Sequence, residues 1–105
     1  MRNFTLVELI NKFNIISNAL QCDKLKQSSP ILEIKLNITY ENSKETFEAS
    51  FNNVDIKDGC ILKTGPVGYG STPEEAMLNY YNLIDGKRIV YNPLSKEYRK
   101  EYVVV

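Results

Sequence analysis

The stretch Gly68-Tyr69-Gly70-Ser71-Thr72-Pro73-Glu74-Glu75-Ala76 decides how the elements of this chain are ordered. Its second half is a well-specified helix start. Thr72 is a capping residue, and Pro73 occupies the first helical position, where its missing N–H costs nothing. Glu75 stands three residues after Thr72 as in a capping box, and Glu74 and Glu75 complement the positive end of the helix dipole. Ala76, Met77, Tyr80, Leu83 and Ile84 then recur at helical spacing, with Tyr81 at the margin and Leu78 opposite, and Gly86 ends the run. A helix is expected over 73–85. The glycines ahead of it supply backbone freedom between a strand and that helix.

Working toward the N-terminus, Cys60 to Thr64 reads as a strand that ends at Gly65-Pro66. Before it, Leu32, Ile34, Leu36, Ile38 and Tyr40 alternate without error with Glu33, Lys35, Asn37 and Thr39, the period-two signature of a strand with one buried face. Glu41-Asn42-Ser43-Lys44 is turn chemistry, and Phe47, Ala49 and Phe51 alternate on a return strand until Asn52-Asn53 breaks the pattern. These readings give a three-stranded antiparallel sheet over 31–64. Upstream of the polar loop 21–30, Leu6, Leu9, Ile10, Phe13, Ile16 and Leu20 form one apolar stripe, opened by a Thr5/Glu8 capping box. That predicts a helix over 5–20, with Val7 and Ile15 off its stripe. After the second helix, Arg88 to Tyr91 and Tyr98 to Val105 read as a terminal hairpin over 88–105. The expected fold is therefore α+β, one domain over 1–105: an α-β-β-β-α core with an antiparallel sheet packed on two helices, plus a C-terminal β-hairpin.

Composition excludes several chemistries. The chain has 105 residues, 43% hydrophobic and 25% charged, which suits one small globular core. Thirteen basic and thirteen acidic side chains cancel, so there is no long-range field of the kind that steers proteins to nucleic acid or anionic lipid. There is no histidine, which removes Ser-His-Asp and Cys-His catalysis and the commonest catalytic metal ligand. Cys22 and Cys60 have no partners at zinc-ligand spacing and read as reduced thiols in or near the core. No metal or other cofactor is expected. No apolar run approaches membrane-spanning length, and Met1 to Asn3 leads straight into the first helix, so the expected location is the cytoplasm, that of the host if a phage encodes the chain. Abundant Asn, Lys and Ile without Trp fit an AT-rich bacterial or phage coding sequence.

The order helix, three strands, helix, with a Gly-x-Gly-x-Ser/Thr turn before a helix beginning x-x-Glu-Ala, resembles the double-stranded-RNA-binding domain. The matching residues are Gly68, Gly70, Thr72, Glu75 and Ala76. The Gly-x-Thr-x-Glu-Glu-Ala turn is also similar to that of HicB-type antitoxins, although those begin with a strand. The resemblance implies phosphate-gripping lysines at the start of the second helix, and Pro73 and Glu74 stand there instead. A carboxylate at that position repels phosphate. The resemblance thus implies the scaffold with its RNA face removed, as in a protein-binding module. A phosphate-binding loop is weaker still, since no Gly-Lys-Ser/Thr follows the glycines.

Function is expected to be that of a small non-enzymatic interaction protein of a phage or mobile element, an inhibitor or adaptor that binds and modulates a host or viral protein by occupying a surface. The alternative is a nucleic-acid-binding module. The candidate surface for either is the C-terminal set Lys87, Arg88, Tyr91, Lys96, Tyr98, Arg99, Lys100 and Tyr102, where basic and tyrosine side chains interleave. Val103, Val104 and Val105 on an edge strand also raise the expectation of a homodimer formed through that edge.

Overall fold

The computed structural model describes residues 3–22, 29–39 and 44–105. Two capped helices frame it. α1 (Leu6–Ala19) opens with the full capping box: Thr5 Oγ1 accepts from the Glu8 N–H at 3.2 Å, and the Thr5 N–H donates to Glu8 Oε1 at 3.1 Å. The Thr5 N–H, together with the Thr5 side chain, holds the Glu8 carboxyl below its ordinary pKa. α2 (Pro73–Ile84) has Thr72 accepting from the Glu75 N–H at 3.1 Å and Pro73 in its first turn. The second half of the expected box is replaced, because Glu75 Oε2 accepts from the Ser71 hydroxyl at 2.9 Å. Asp85 caps the C-terminus, and Gly86, with φ +74°, turns the chain away.

Among the described residues seven strands lie around these helices: β1 (Leu32–Thr39), β2 (Lys44–Phe51), β3 (Val54–Asp58), β4 (Ile61–Lys63), β5 (Gly68–Gly70), β6 (Arg88–Tyr91) and β7 (Lys100–Val103). They form two antiparallel sheets, one ordered β1-β2-β5 and the other β4-β3-β6-β7. The expected α+β class and C-terminal antiparallel pair are observed. The expected single sheet over 31–64 is corrected. Its third strand is β5, and 54–63 crosses into the second sheet. The crossing happens at Asn52-Asn53. Asn53 adopts φ +58°, and its Nδ2 donates to Oδ1 of Asn92, which is itself left-handed at φ +54°, at 2.6 Å. The Asn92 N–H donates to the Asn53 carbonyl at 3.1 Å, so the bend between the sheets is pinned to the bend after β6. Asparagine tolerates the left-handed region better than other side chains, which accounts for it at both bends.

Gly68 and Gly70 do more than turn the chain. Both are buried in β5, directly beneath α2. A Cβ on Gly68 would press on the Ala76 carbonyl and the Tyr80 nitrogen, and one on Gly70 would sit 2.5 Å from the Ala76 nitrogen and 2.8 Å from the Glu75 carbonyl carbon. These are backbone atoms of the helix. Glycine is required at both positions because the helix lies directly on the strand.

The core sits where α1 and α2 meet the two sheets. Phe13 stacks on Tyr80 at 6.0 Å between centroids and meets Phe51 and Tyr81 edge-on at 5.6 and 5.8 Å. Leu9, Ile16, Leu20, Ala49, Ile56, Ala76, Ile84, Ile89 and Tyr91 fill the space around them. The apolar stripes differ from expectation at their margins. Tyr81 is fully buried and Leu78 packs against the core, whereas Leu83, Leu6 and Ile10 are exposed. Val7 and Ile15 are exposed, so α1 is not buried on a second side among the described residues. Tyr80 carries its hydroxyl into the interior with no hydrogen-bond partner in good geometry among the described residues. Burial pushes its pKa up to about 12, softened by the nearby Phe51 backbone. Cys22 is buried, but Cys60 is exposed in the β3–β4 turn, which corrects its expected place near the core. No described helix is long and apolar enough to cross a membrane. The sequence-predicted loop across 23–28, the turn at 41–43 and Tyr40 lie outside the described residues.

Candidate interaction surface

The C-terminal set does not form one surface. In β6 and β7 the register pairs Arg88 with Val103, Ile89 with Tyr102, Val90 with Glu101 and Tyr91 with Lys100. Directly opposed residues share a face. Tyr91 and Tyr102 therefore fall on the core side with Ile89, and Arg88 falls on the other side. Tyr91 is buried in the core and Tyr102 packs against it, so neither is the exposed anchor expected. The reason is the strand period: in a chain that buries Ile89, Tyr91 shares its face. Tyr98 and Arg99 are half-buried in the loop after β6, where the Tyr98 N–H donates to Ser95 Oγ at 2.9 Å and Asn92 Nδ2 donates to the Tyr98 carbonyl at 3.1 Å. Lys87, Lys96 and Lys100 are exposed.

Glu101, absent from the expected set, organises the cations that remain. Its carboxylate lies 3.2 Å from Arg99 Nε, 3.5 Å from Lys57 Nζ and 3.6 Å from Arg88 Nη1. Partial burial works against ionisation, but Lys57 and Arg99 outweigh it and hold the Glu101 carboxyl below its ordinary pKa. Arg99 also donates to the Pro93 carbonyl at 3.5 Å. Two of the expected phosphate ligands, Arg88 and Arg99, are thus tied to a carboxylate. Beside the cluster a groove of about 290 Å³ is lined by Lys57, Lys63, Lys87 and Arg88 with Asp58. Sequence distance hid it, because Lys57 and Lys63 come from β3 and β4.

A different surface stands out on β1. Its register, Leu32 with Phe51, Ile34 with Ala49 and Leu36 with Phe47, puts its apolar row on the same face as Ala49 and Phe51, which are core residues under α2. Yet Ile34, Leu36 and Ile38 are 41%, 52% and 57% exposed. The alternation correctly marks a strand, but the expected burial of this face fails beyond Leu32. α2 is seated against β5 and β2 by the two glycines and leaves β1 uncovered. On α1, Leu6 and Ile10 are exposed on the flank shared with Ser17, given about 100° per residue. The Ser17 hydroxyl donates to the Pro30 carbonyl at 2.8 Å, so this flank borders the entry to β1.

The backbone of β1 is open as well. The Asn52 N–H donates to the Ile31 carbonyl at 3.1 Å, and the Ile31 N–H donates to Asn52 Oδ1 at 2.7 Å. This fixes the odd-numbered residues as those bonded toward β2, since antiparallel ladders alternate. The N–H and C=O groups of Leu32, Ile34, Leu36 and Ile38 therefore point to the outer edge, where no described strand pairs with them.

No group of three or more potential metal ligands gathers among the described residues. No protein-family model, curated protein or solved structure matches the chain.

Proposed function

We propose that this chain is a non-enzymatic interaction protein that docks a protein partner, a host or viral one, by accepting a strand on the outer edge of β1. The observation that carries the reading is the coincidence of two features on one strand. Four residues of an eight-residue strand present outward backbone groups that no described strand pairs with, and three side chains of that strand expose apolar surface on the face that is core elsewhere in the sheet. Strand addition uses both: main-chain hydrogen bonds give affinity, and alternate side chains give specificity. Natural edges are ordinarily short, charged or covered, so a long apolar one marks an interaction site. The expected role of occupying a partner's surface is retained, and its location moves from the C-terminal hairpin to β1. The test is capture with the native chain and with Leu36→Asp side by side, circular dichroism confirming that both fold. A partner retained by the first and lost by the second is expected, and equal retention by both overturns the reading.

The groove lined by Lys57, Lys63, Lys87 and Arg88 supports a second reading, phosphate binding among these cations of the second sheet. It predicts nucleic-acid binding that falls steeply with salt and weakens with Lys63→Ala and Lys87→Ala. Binding unchanged by those substitutions excludes the groove.

A further inference from the structure

Resting on the reading of β1 as a docking strand, we infer that the resting occupant of its edge is the β1 strand of a second copy, paired antiparallel about a two-fold axis at Ile34. A two-fold axis normal to the sheet opposes residues of the same parity, so each face continues across the junction. With the axis at Ile34, the outward N–H and C=O of Ile34 meet those of Ile34 in the second copy, and Leu32 opposes Leu36. The two exposed apolar rows become one.

Charge selects this register over its neighbours. The exposed side chains of the other face are Glu33, Lys35 and Asn37. An axis at Ile34 places Glu33 opposite Lys35 of the second copy, twice by symmetry, at non-hydrogen-bonded positions where opposed side chains are closest. An axis at Lys35 would oppose the two lysines, and one at Leu36 would set Lys35 against Asn37 and leave Glu33 against Thr39. Within one chain Lys35 Nζ and Glu33 Oε2 are 3.9 Å apart with both side chains largely exposed, a loose contact that the second copy's charges can replace. The resulting sheet runs β5-β2-β1 into β1-β2-β5 of the second copy, which covers the long edge and leaves the short β5 strand at each end. A partner strand then competes with the second copy for the same edge.

The experiment is sedimentation velocity and light scattering on the full chain from micromolar to millimolar concentration, with backbone amide exchange followed by NMR. A dimer is expected, with the Ile34 and Leu36 amides protected in it and exchanging on dilution. Glu33→Lys or Lys35→Glu alone turns both charge pairs into like-charge pairs and is expected to raise the dissociation constant roughly tenfold at low salt. The double swap, Glu33→Lys with Lys35→Glu, restores it. A dimer indifferent to the single reversals, or one not rescued by the double swap, overturns this register. A chain that stays monomeric at millimolar concentration overturns self-pairing altogether. In that case a synthetic peptide of residues 31–39 separates the two ideas. Peptide binding that protects the Ile34 and Leu36 amides leaves β1 as a docking strand for other proteins, and no binding overturns that reading too.

Discussion

The two outer strands of the first sheet, β1 and β5, are edges of opposite character. β5 has three residues, and its two glycines lie against the α2 backbone. Pairing to β2 turns Gly68 and Gly70 inward, so Tyr69 is the residue whose backbone faces out, and Asn79 Nδ2 donates to its carbonyl at 2.5 Å. β1 has eight residues, an edge that no described strand pairs with and an apolar row half open to solvent. The difference has one source. A helix that approaches one side of a narrow sheet closely enough to touch its backbone cannot also cover the far side. The glycines that close β5 thereby expose β1.

The strongest way to break this contrast is to push the helix off the strand. Gly68→Ala places a methyl group against backbone atoms of Ala76 and Tyr80, which cannot yield as a side chain would, and Gly70→Ala does the same at Glu75 and Ala76. Each is expected to lower stability by about 3 kcal/mol, the upper end for overpacking a filled site, as measured by urea unfolding. A loss below about 1 kcal/mol would show that α2 is not seated on β5 as described.

Next in size is the edge closure of β5. Asn79→Ala removes the hydrogen bond to the Tyr69 carbonyl and is expected to cost about 1 kcal/mol while freeing that carbonyl for exchange with solvent or another chain. On the β1 side the same logic predicts little loss. Leu36→Ser removes a side chain already 52% exposed, so its cost in stability should stay near 0.5 kcal/mol while association through β1 collapses. If Leu36→Ser destabilises the chain by several kcal/mol, the row belongs to the core and β1 is no docking strand.

What the sequence disclosed follows the range of the forces involved. Both helix starts were legible because capping is local: Thr5 with Glu8 and Thr72 with Glu75 lie within one turn. β1 was legible as a strand from its alternation. Its exposure was not, because period two says which residues share a face and nothing about what covers that face. β5 was missed because two of its three residues are glycines, which strands disfavour, and its pairing follows from the register of β2 and the position of α2. The end of the alternation at Asn52-Asn53 was visible, but the division into two sheets that it marks was not. Its partner, Asn92, lies 39 residues away and nothing local points to it. The C-terminal surface failed for a similar reason, since the reach of Glu101 to Lys57 on β3 depends on the β3-β6-β7 order.

The smallest effect compares β1 with β7, one of the two outer strands of the second sheet. β7 has four residues, and its Glu101 gathers Lys57 from β3 and Arg88 from β6, so charge ties this edge to its neighbours, whereas the Glu33–Lys35 pair of β1 lies within the strand itself. The carboxyl of Glu101 is held below its ordinary value of 4.5 by Lys57 and Arg99 against the opposing effect of burial. A carboxyl with a lowered folded-state pKa binds protons more weakly when folded than when unfolded. Its contribution is complete above the unfolded value and disappears as pH falls through the folded one. Stability should therefore decline as pH drops below about 4.5, and Glu101→Gln should remove part of that decline while costing less than about 1 kcal/mol at neutral pH, because the cluster is solvent-screened. Urea midpoints of the two proteins, measured from pH 7 to pH 3, should converge toward the acid end. Parallel curves would mean that charge does not tie β7 to its sheet, leaving it an edge as open as β1 and a rival site for self-association.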